Sequence, residues 1–389
     1  MKNVQNKVPS VLIIICLVGF PQISESIFTP ALPALSHAMS VSAKTSQLTM
    51  STYFIAFAVG VLFWGFYSDK VGRIKAMLLG LGVYLIGNIG LLFSPNFVML
   101  LLFRLVQSFG ASAGSGVTQS IMRESFTGIK ASKVFATVTA AMALSPALGP
   151  FIGGIAQTYF GYQSVFSVLI IMAVSLILYT NSCLPETRII VEQSESIRVG
   201  QVIRKMITDR RIWIYGFIIS GINGVLFSYY AEAPFVFITH FKLSAIMYGL
   251  TGIVLAGANI CGAMLVNKLV SKHSYKFIIT LGLVTAIIAS VTLLISSLMN
   301  SMIPMLISIF VVFAGLNITL PIVLQIALEG YEKVIGLASG IFSFGYYIVI
   351  SFLTYLISFL HNGQIYVLPM YVLALSVAML ISYSIMNRK

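Results

Sequence analysis

Glu25, Glu232 and Arg104 each interrupt a long apolar run, where an ionisable side chain is costly. In hydrocarbon such a group costs a few kcal/mol and by default marks a proton relay, a counter-ion or a substrate contact. A carboxylate can take up and release a proton. A guanidinium stays charged and acts by tuning its neighbours. Counted from Val11 at about 1.5 Å per residue, Glu25 lies about 21 Å into a core of about 30 Å, roughly 9 Å from its far edge. Arg104, counted from Phe97 on a run of the opposite direction, falls about 10 Å from the same edge. Opposite charges at one depth can pair. Such a pair either couples protons or substrate to movement, or ties the first helix to the fourth as a static brace.

The other reactive side chains offer less. His37, His240, His273 and His361 fall in or beside loops without metal-like spacing, which predicts solvated rings and no metal site. Cys16, Cys183 and Cys261 sit in apolar runs and read as small buried hydrophobes. No Gly-x4-Gly-Lys-Ser/Thr loop occurs, so nothing supports direct ATP coupling or a bound cofactor. The aromatics Trp64, Phe344, Tyr346 and Tyr347, with the pair Tyr53/Phe57 one helical turn apart and Tyr229/Tyr230, either line an apolar cavity or pack against helices and lipid. Tyr53, Phe57, Gln107, Tyr229, Tyr230 and Glu232 are the candidate cavity residues.

The elements that must position these groups are membrane helices. The 389 residues are 58% hydrophobic and only 8% charged, with a mean hydropathy of +0.99. Soluble domains carry roughly a quarter charged residues. Twelve apolar runs of spanning length follow one another, at about 11–35, 47–67, 75–94, 97–119, 134–157, 164–183, 212–235, 246–267, 276–298, 303–326, 334–359 and 366–386. Lys2 and Lys7 ahead of the first run imitate a signal peptide, but no clean small-x-small cleavage site follows. The polar stretch 184–211 divides the chain into a first six-helix unit (1–183) and a second (212–389). This predicts an all-α polytopic fold of two six-helix bundles related by an axis along the membrane normal. The net charge of +13 would suit a nucleic-acid partner, but 20 of the 23 Lys/Arg fall in alternate segments on one side of the twelve runs. That asymmetry marks a cytoplasmic face with both termini inside, and no nucleic acid is needed.

The turn Gly65-Phe-Tyr-Ser-Asp69-Lys-Val-Gly72-Arg73-Ile-Lys75 adds specificity. It resembles the Gly-x-x-x-Asp-x-x-Gly-Arg-(Arg/Lys) signature of the major facilitator superfamily, with its last basic residue one place late. Arg104-Leu-Val-Gln107-Ser108-Phe-Gly110-Ala111 resembles that superfamily's fourth-helix signature, Ser108 replacing a glycine. Gly149-Pro150-Phe-Ile-Gly153-Gly154 resembles the end of its antiporter signature, with Ala136 and Ser145 at two earlier glycine positions; taken alone, it also fits close helix packing. Thr29-Pro-Ala-Leu-Pro33, Ala233-Pro-Phe-Val236, Gly336-Leu-Ala-Ser-Gly340 and Ile121-Met-Arg-Glu-Ser-Phe126 are similar to the Bcr/CflA-type drug-efflux branch. The branch usually has an aspartate at the position of Ser26, beside Glu25. The resemblance implies a proton-coupled antiporter of a bacterial inner membrane, acting as a monomer, that exports small amphipathic compounds or drugs. Protons and substrate would meet at Glu25 and Arg104, and Gly65, Asp69, Gly72 and Arg73 would form a gating loop, Asp69 meeting the start of the helix near Val334. A dedicated metabolite or siderophore exporter and a non-transporting sensor are the competing readings; an enzyme is not expected.

Cysteines placed at Lys44, Lys242 and His361 are expected to react with a membrane-impermeant maleimide added outside cells, and one at Ser194 to be protected. The reverse pattern would invert the topology.

Overall fold

The computed structural model describes residues 8–188, 199–331 and 334–386. Within them, twelve helices are long and apolar enough to cross a membrane. They are α1 (Val11–Ala38), α2 (Ala43–Val71), α3 (Arg73–Leu92), α4 (Phe97–Ser125), α5 (Lys133–Phe160), α6 (Gln163–Cys183), α7 (Arg210–His240), α8 (Ala245–Leu269), α9 (Tyr275–Leu298), α10 (Met302–Ile326), α11 (Ile335–Leu360) and α12 (Val367–Met386). Hydrocarbon offers no partner to an open backbone group, so each run closes its hydrogen bonds within a helix. The first turns are closed by side chains at the loop-to-apolar boundary. Ser10 accepts from Ile13 N, Asn96 from Met99 N, Ser244 from Met247 N and Ser274 from Phe277 N.

The helix boundaries follow the hydropathy reading, with three refinements. α4 runs on past 119 to Ser125. α1 changes to a 3-10 turn over Thr29–Ala31, where Pro30 and Pro33 withdraw backbone donors. α7 widens into a π-helical turn over Phe235–His240 immediately after Pro234. Between α6 and α7 lies a short helix, Val199–Thr208. Ser194, with 189–198, and the tail lysines Lys2, Lys7 and Lys389 lie outside the described residues.

The helices form two bundles of six. Small residues bring neighbours to backbone contact within each: Gly87 and Gly110 place α3 against α4, and Gly282 and Gly315 place α9 against α10. Between the bundles, α2 packs on α11 and α5 on α8. These two pairs exchange under a twofold axis that carries α1–α6 onto α7–α12. Along α5–α8, Gly249 faces Pro150 and Phe151, Gly252 faces Pro146 and Ala147, and Gly154 faces Ala245 and Ile246. Along α2–α11, Ser351 Oγ donates to Ser51 O at 2.7 Å and Gly340 faces Leu62. Most of these contacts lie in the half of the membrane away from the chain termini.

A Cβ on Gly249 would stand 2.9 Å from the Cα of Phe151. Gly249→Val is therefore expected to lose about 1–3 kcal/mol through overpacking. Gly82→Ala, with open space around it, should melt like the wild type. Thermal denaturation in detergent checks both.

Candidate transport site

Arg104 is 1% exposed in the middle of the first bundle. Nε donates to Thr49 O at 3.3 Å and Nη1 to Gln107 Oε1 at 2.6 Å. Gln107 Nε2 donates to Asn88 Oδ1 at 2.5 Å, Asn88 Nδ2 to Tyr84 O at 2.9 Å, and Tyr84 OH to Ser24 Oγ at 3.1 Å. The guanidinium also lies over two rings, 4.4 Å from the centroid of Tyr53 and 5.2 Å from that of Phe28. A buried cation is tolerable only when its donors and field are matched, and α1, α2, α3 and α4 each supply part of that match. Nη2 alone has no partner among the described residues.

Glu25 is buried one residue past Ser24, ahead of the 3-10 break of α1. The direct ion pair expected from equal depth does not form. No Glu25–Arg104 contact occurs among the described residues, because Arg104 is turned onto Thr49 and Gln107. The two charges interact only through space, and Glu25 shares that range with Tyr53, Tyr230, Tyr346 and Tyr347. Gly149 and Gly153 of α5 let that helix lie against Ser26 and Ile27, the residues that follow Glu25, while Gly154 turns to α8. The Gly-Pro run thus clamps the backbone beside the carboxylate.

The aromatic candidates divide. Tyr53 and Phe57 stack at 5.7 Å, Phe57 meets Tyr347 at 4.8 Å, Phe54 meets Phe227 at 4.2 Å, and Phe227 meets Tyr230 at 6.1 Å. These rings from α2, α7 and α11 make one cluster spanning both bundles, on the side of Glu25. Tyr229 touches Tyr230 at 6.0 Å and reaches Phe313 of α10 at 5.8 Å, inside the second bundle. Trp64 is a packing residue whose Nε1 donates to Phe109 O at 2.7 Å. Gln107 is held at both ends in the Arg104 chain, and Glu232 is bound at the far end by Gln47 and His361. His361 is accordingly buried rather than solvated, because Glu232 holds its ring; its side chain is 10% exposed.

At the termini-bearing end, Arg73 is the hub. Nη1 reaches Asp69 Oδ1 and Ser68 Oγ, both at 2.6 Å, and Nε reaches Glu124 Oε2 at 3.1 Å, an oxygen that also accepts from Thr187 at 3.0 Å. The side chain of Asp69 is 61% exposed and binds Arg73 here, not the start of α11. Gly72 has φ +98°, which lets α3 begin one residue after α2 ends. Its missing Cβ leaves room for Glu186, whose Oε1 accepts from Arg73 N at 2.8 Å and Oε2 from Ile74 N at 3.2 Å. Gly65 has open space around it, so its place in the signature answers to no packing demand here.

With this geometry in view, the comparisons are specific. The sequence profile of the Major Facilitator Superfamily matches residues 14–354, and the chain belongs to that family of membrane transporters. An uncharacterized transporter of Rickettsia bellii (strain RML369-C) is 34% identical over 384 residues, 96% of this chain and 95% of that protein. A chloramphenicol resistance protein of Pseudomonas aeruginosa is 25% identical over 358 residues, 91% and 84% of the two chains. The xylose transporter XylE from E. coli, in a partially occluded inward-open conformation, superposes with a TM-score of 0.75 at 14% identity, over 95% of each chain. The molecule is therefore a transporter, not an enzyme, which also sets aside the sensor reading.

Gln47, Asn88, Glu124, Glu186 and His361 complete the polar networks and were not singled out for these roles from sequence. Burial alone would raise the carboxyl of Glu186, but the backbone N–H groups of Arg73, Arg188, Ile74 and Thr187 outweigh it and hold the group below its ordinary value. A carboxyl depressed in the folded state stabilises above its unfolded value and loses that contribution as pH falls through the folded one. Glu186→Gln should therefore melt below the wild type at neutral pH. The difference should shrink as the pH drops below the ordinary 4.5, read by thermal denaturation across a pH series.

Proposed function

We propose that this transporter exports small amphipathic compounds, drugs among them, in exchange for protons entering through the bacterial inner membrane, with both termini and the 184–211 linker in the cytoplasm. The single observation that carries this reading is Glu25. It is a buried carboxylate without hydrogen bond or ion pair among the described residues, within electrostatic range of Arg104 and of an aromatic cluster shared by the two bundles. An unengaged carboxylate is free to hold a proton or a cationic substrate, but not both at once. Arg104 stays charged and tunes the choice. The rings offer apolar contact and cation–π attraction worth about 0.5–2 kcal/mol. The bundles touch mainly away from the termini, and Asp69 stands clear of α11, which fits a cavity facing the cytoplasm. In the opposite state Asp69 and Arg73 would brace α2 against α11. The chain would work as a monomer, using only the proton gradient.

A dedicated exporter of one acidic metabolite has an observation of its own: Arg104 Nη2 is a buried donor without a partner, which a substrate carboxylate could fill. Substrate charge separates the two.

Purified wild-type protein should release protons when a transported cation binds. Glu25→Gln should bind the same compound without release and lose proton-driven export, while Arg104→Ala should impair both binding and export by at least about tenfold, the equivalent of 1.4 kcal/mol. Proton release by Glu25→Gln equal to the wild type would remove Glu25 from the mechanism. Binding of anions in place of cations would favour the metabolite exporter.

A further inference from the structure

The end of the fold opposite the termini holds a second polar assembly, and it joins the two bundles. Gln47 Nε2 donates to Glu232 Oε2 at 2.6 Å. His361 Nδ1 lies 2.8 Å from Glu232 Oε1 and 2.9 Å from Oε2, and Gln47 Nε2 lies 3.3 Å from the same Nδ1. An Nδ1–H that donates to the carboxylate satisfies this geometry. The Glu232 side chain is 2% exposed. A carboxylate left unpaired at that depth is strongly disfavoured, so these donors are what makes its burial possible. They come from the start of α2 and the residue after α11, while the acid itself stands at the far end of α7.

The seam continues above and below. One turn deeper, Ser351 of α11 donates to the carbonyl of Ser51. One turn nearer the surface, Lys44 Nζ stands 4.2 Å over the ring of Phe359. Phe235 packs its ring 5.5 Å from that of His361. It is the first residue of the π-helical turn that follows Pro234. Single π turns mark places where a helix is locally loosened, often for function. Glu232 is therefore held firmly by side chains on a helix end that is itself loosely wound. Of the other charged or titratable groups at this end, His37 and Lys242 are exposed, and His240 binds Asn300 at 2.8 Å. Lys44 is the cation nearest the assembly along the chain.

We infer that Gln47, Glu232 and His361 form the outer gate of the transport cycle, a lock closed in this structure that must break before Glu25 and Arg104 can face the side opposite the termini. The inference rests on alternating access, the reading given above. Helical spacing ties the lock to the site. Gln47 and Ser51, one turn apart, face the second bundle, while Thr49 and Tyr53, on the opposite side of the same two turns, hold Arg104. Opening the gate draws this part of α2 outward and changes the surroundings of Arg104 in the same motion. Gln47, Glu232 and His361 are thus positioning residues for the cycle, while the exchanged proton stays with Glu25.

The test measures the distance between spin labels at Phe93→Cys and Met299→Cys, both exposed at this end on different bundles. The background has Cys16, Cys183 and Cys261 replaced by alanine, and the protein is held in lipid nanodiscs. The wild type should show a dominant short distance and a minor long one. Gln47→Ala, Glu232→Ala and His361→Ala should each raise the ratio of long to short by about 5- to 30-fold, the effect of losing one or two kcal/mol. The Gln47→Ala/Glu232→Ala double variant should gain less than the product of the single effects. If Glu232→Ala does not fold, Gln47→Ala decides, since it leaves Glu232 bound to His361. A wild type that alternates, with variants whose distances match it, overturns the gate alone. One fixed distance in every protein, at any pH and with any compound added, overturns alternating access and the gate with it.

Discussion

Everything in the first bundle is arranged around one constraint: a permanent positive charge sits where water is scarce. Arg104 cannot shed its proton to reduce the cost of burial, as a lysine or histidine could. α1, α2 and its own helix α4 therefore meet it with a carbonyl, an amide oxygen and two aromatic faces. The amide of Gln107 is in turn fixed by Asn88, so the match extends to a second layer. Such a network is worth most when complete, because each unsatisfied member is expensive in a low dielectric. Leaving Nη2 and Glu25 outside it is then informative. Nη2 has no hydrogen-bond partner among the described residues, and Glu25 lies within electrostatic range of Arg104 and of the ring cluster shared by the two bundles.

At the other end, the same economy of charge serves geometry. Arg73 spans Asp69 on α2 and Glu124 on α4, while Glu186, beyond α6, holds the first backbone donors of α3. Four of the first six helices are thus tied together within the turn that Gly72 makes possible. This end of the first bundle is fixed within itself, and among the described residues Asp69 makes no hydrogen bond or ion pair with the second bundle. The far end is the reverse, with Gln47 and Ser51 spent on the second bundle. A rigid bundle held at one end and free at the other is the mechanical requirement for two halves to rock about a central site.

How much of this was legible in the sequence follows from the range of the physics involved. Hydropathy is a property of neighbouring residues, so the twelve runs and the division at 184–211 could be read directly, while the turns at Thr29–Ala31 and after Pro234 could not. The burial of Glu25 and Arg104 followed from counting along helices. Their rotation did not. Equal depth suggested a direct pair, whereas the side chain of Arg104 is committed to Thr49 and Gln107. Partners remote in sequence were invisible for the same reason. Gln47 and His361 look like ordinary loop-edge residues until the fold brings them to Glu232 across the bundle interface. Tyr229 and Tyr230 are adjacent in sequence, yet about 100° apart around the helix, so Tyr230 meets Phe227 of the inter-bundle cluster while Tyr229, touching Tyr230, reaches inward to Phe313. The glycines of α5 were legible as small, but not that they serve two partners, Gly149 and Gly153 facing α1 while Gly154 faces α8.

The twofold relation between the bundles gives the acids a common origin in geometry. α1 and α7 are equivalent, each is interrupted near its far end by a turn at or just after a proline, and each carries one acid a few residues before that turn. Interrupting a helix in a membrane frees backbone groups, which neighbouring protein groups must then satisfy. The two copies then diverge by what stands opposite. Across from Glu232 are Gln47 and His361, donors close enough to bind it, so the acid becomes part of the seam. Near Glu25 is Arg104, already engaged by Thr49 and Gln107, so the acid is left without a hydrogen-bond partner among the described residues. One fold, repeated, thus yields a bound carboxylate and a free one, and α2 lies between them with a face to each.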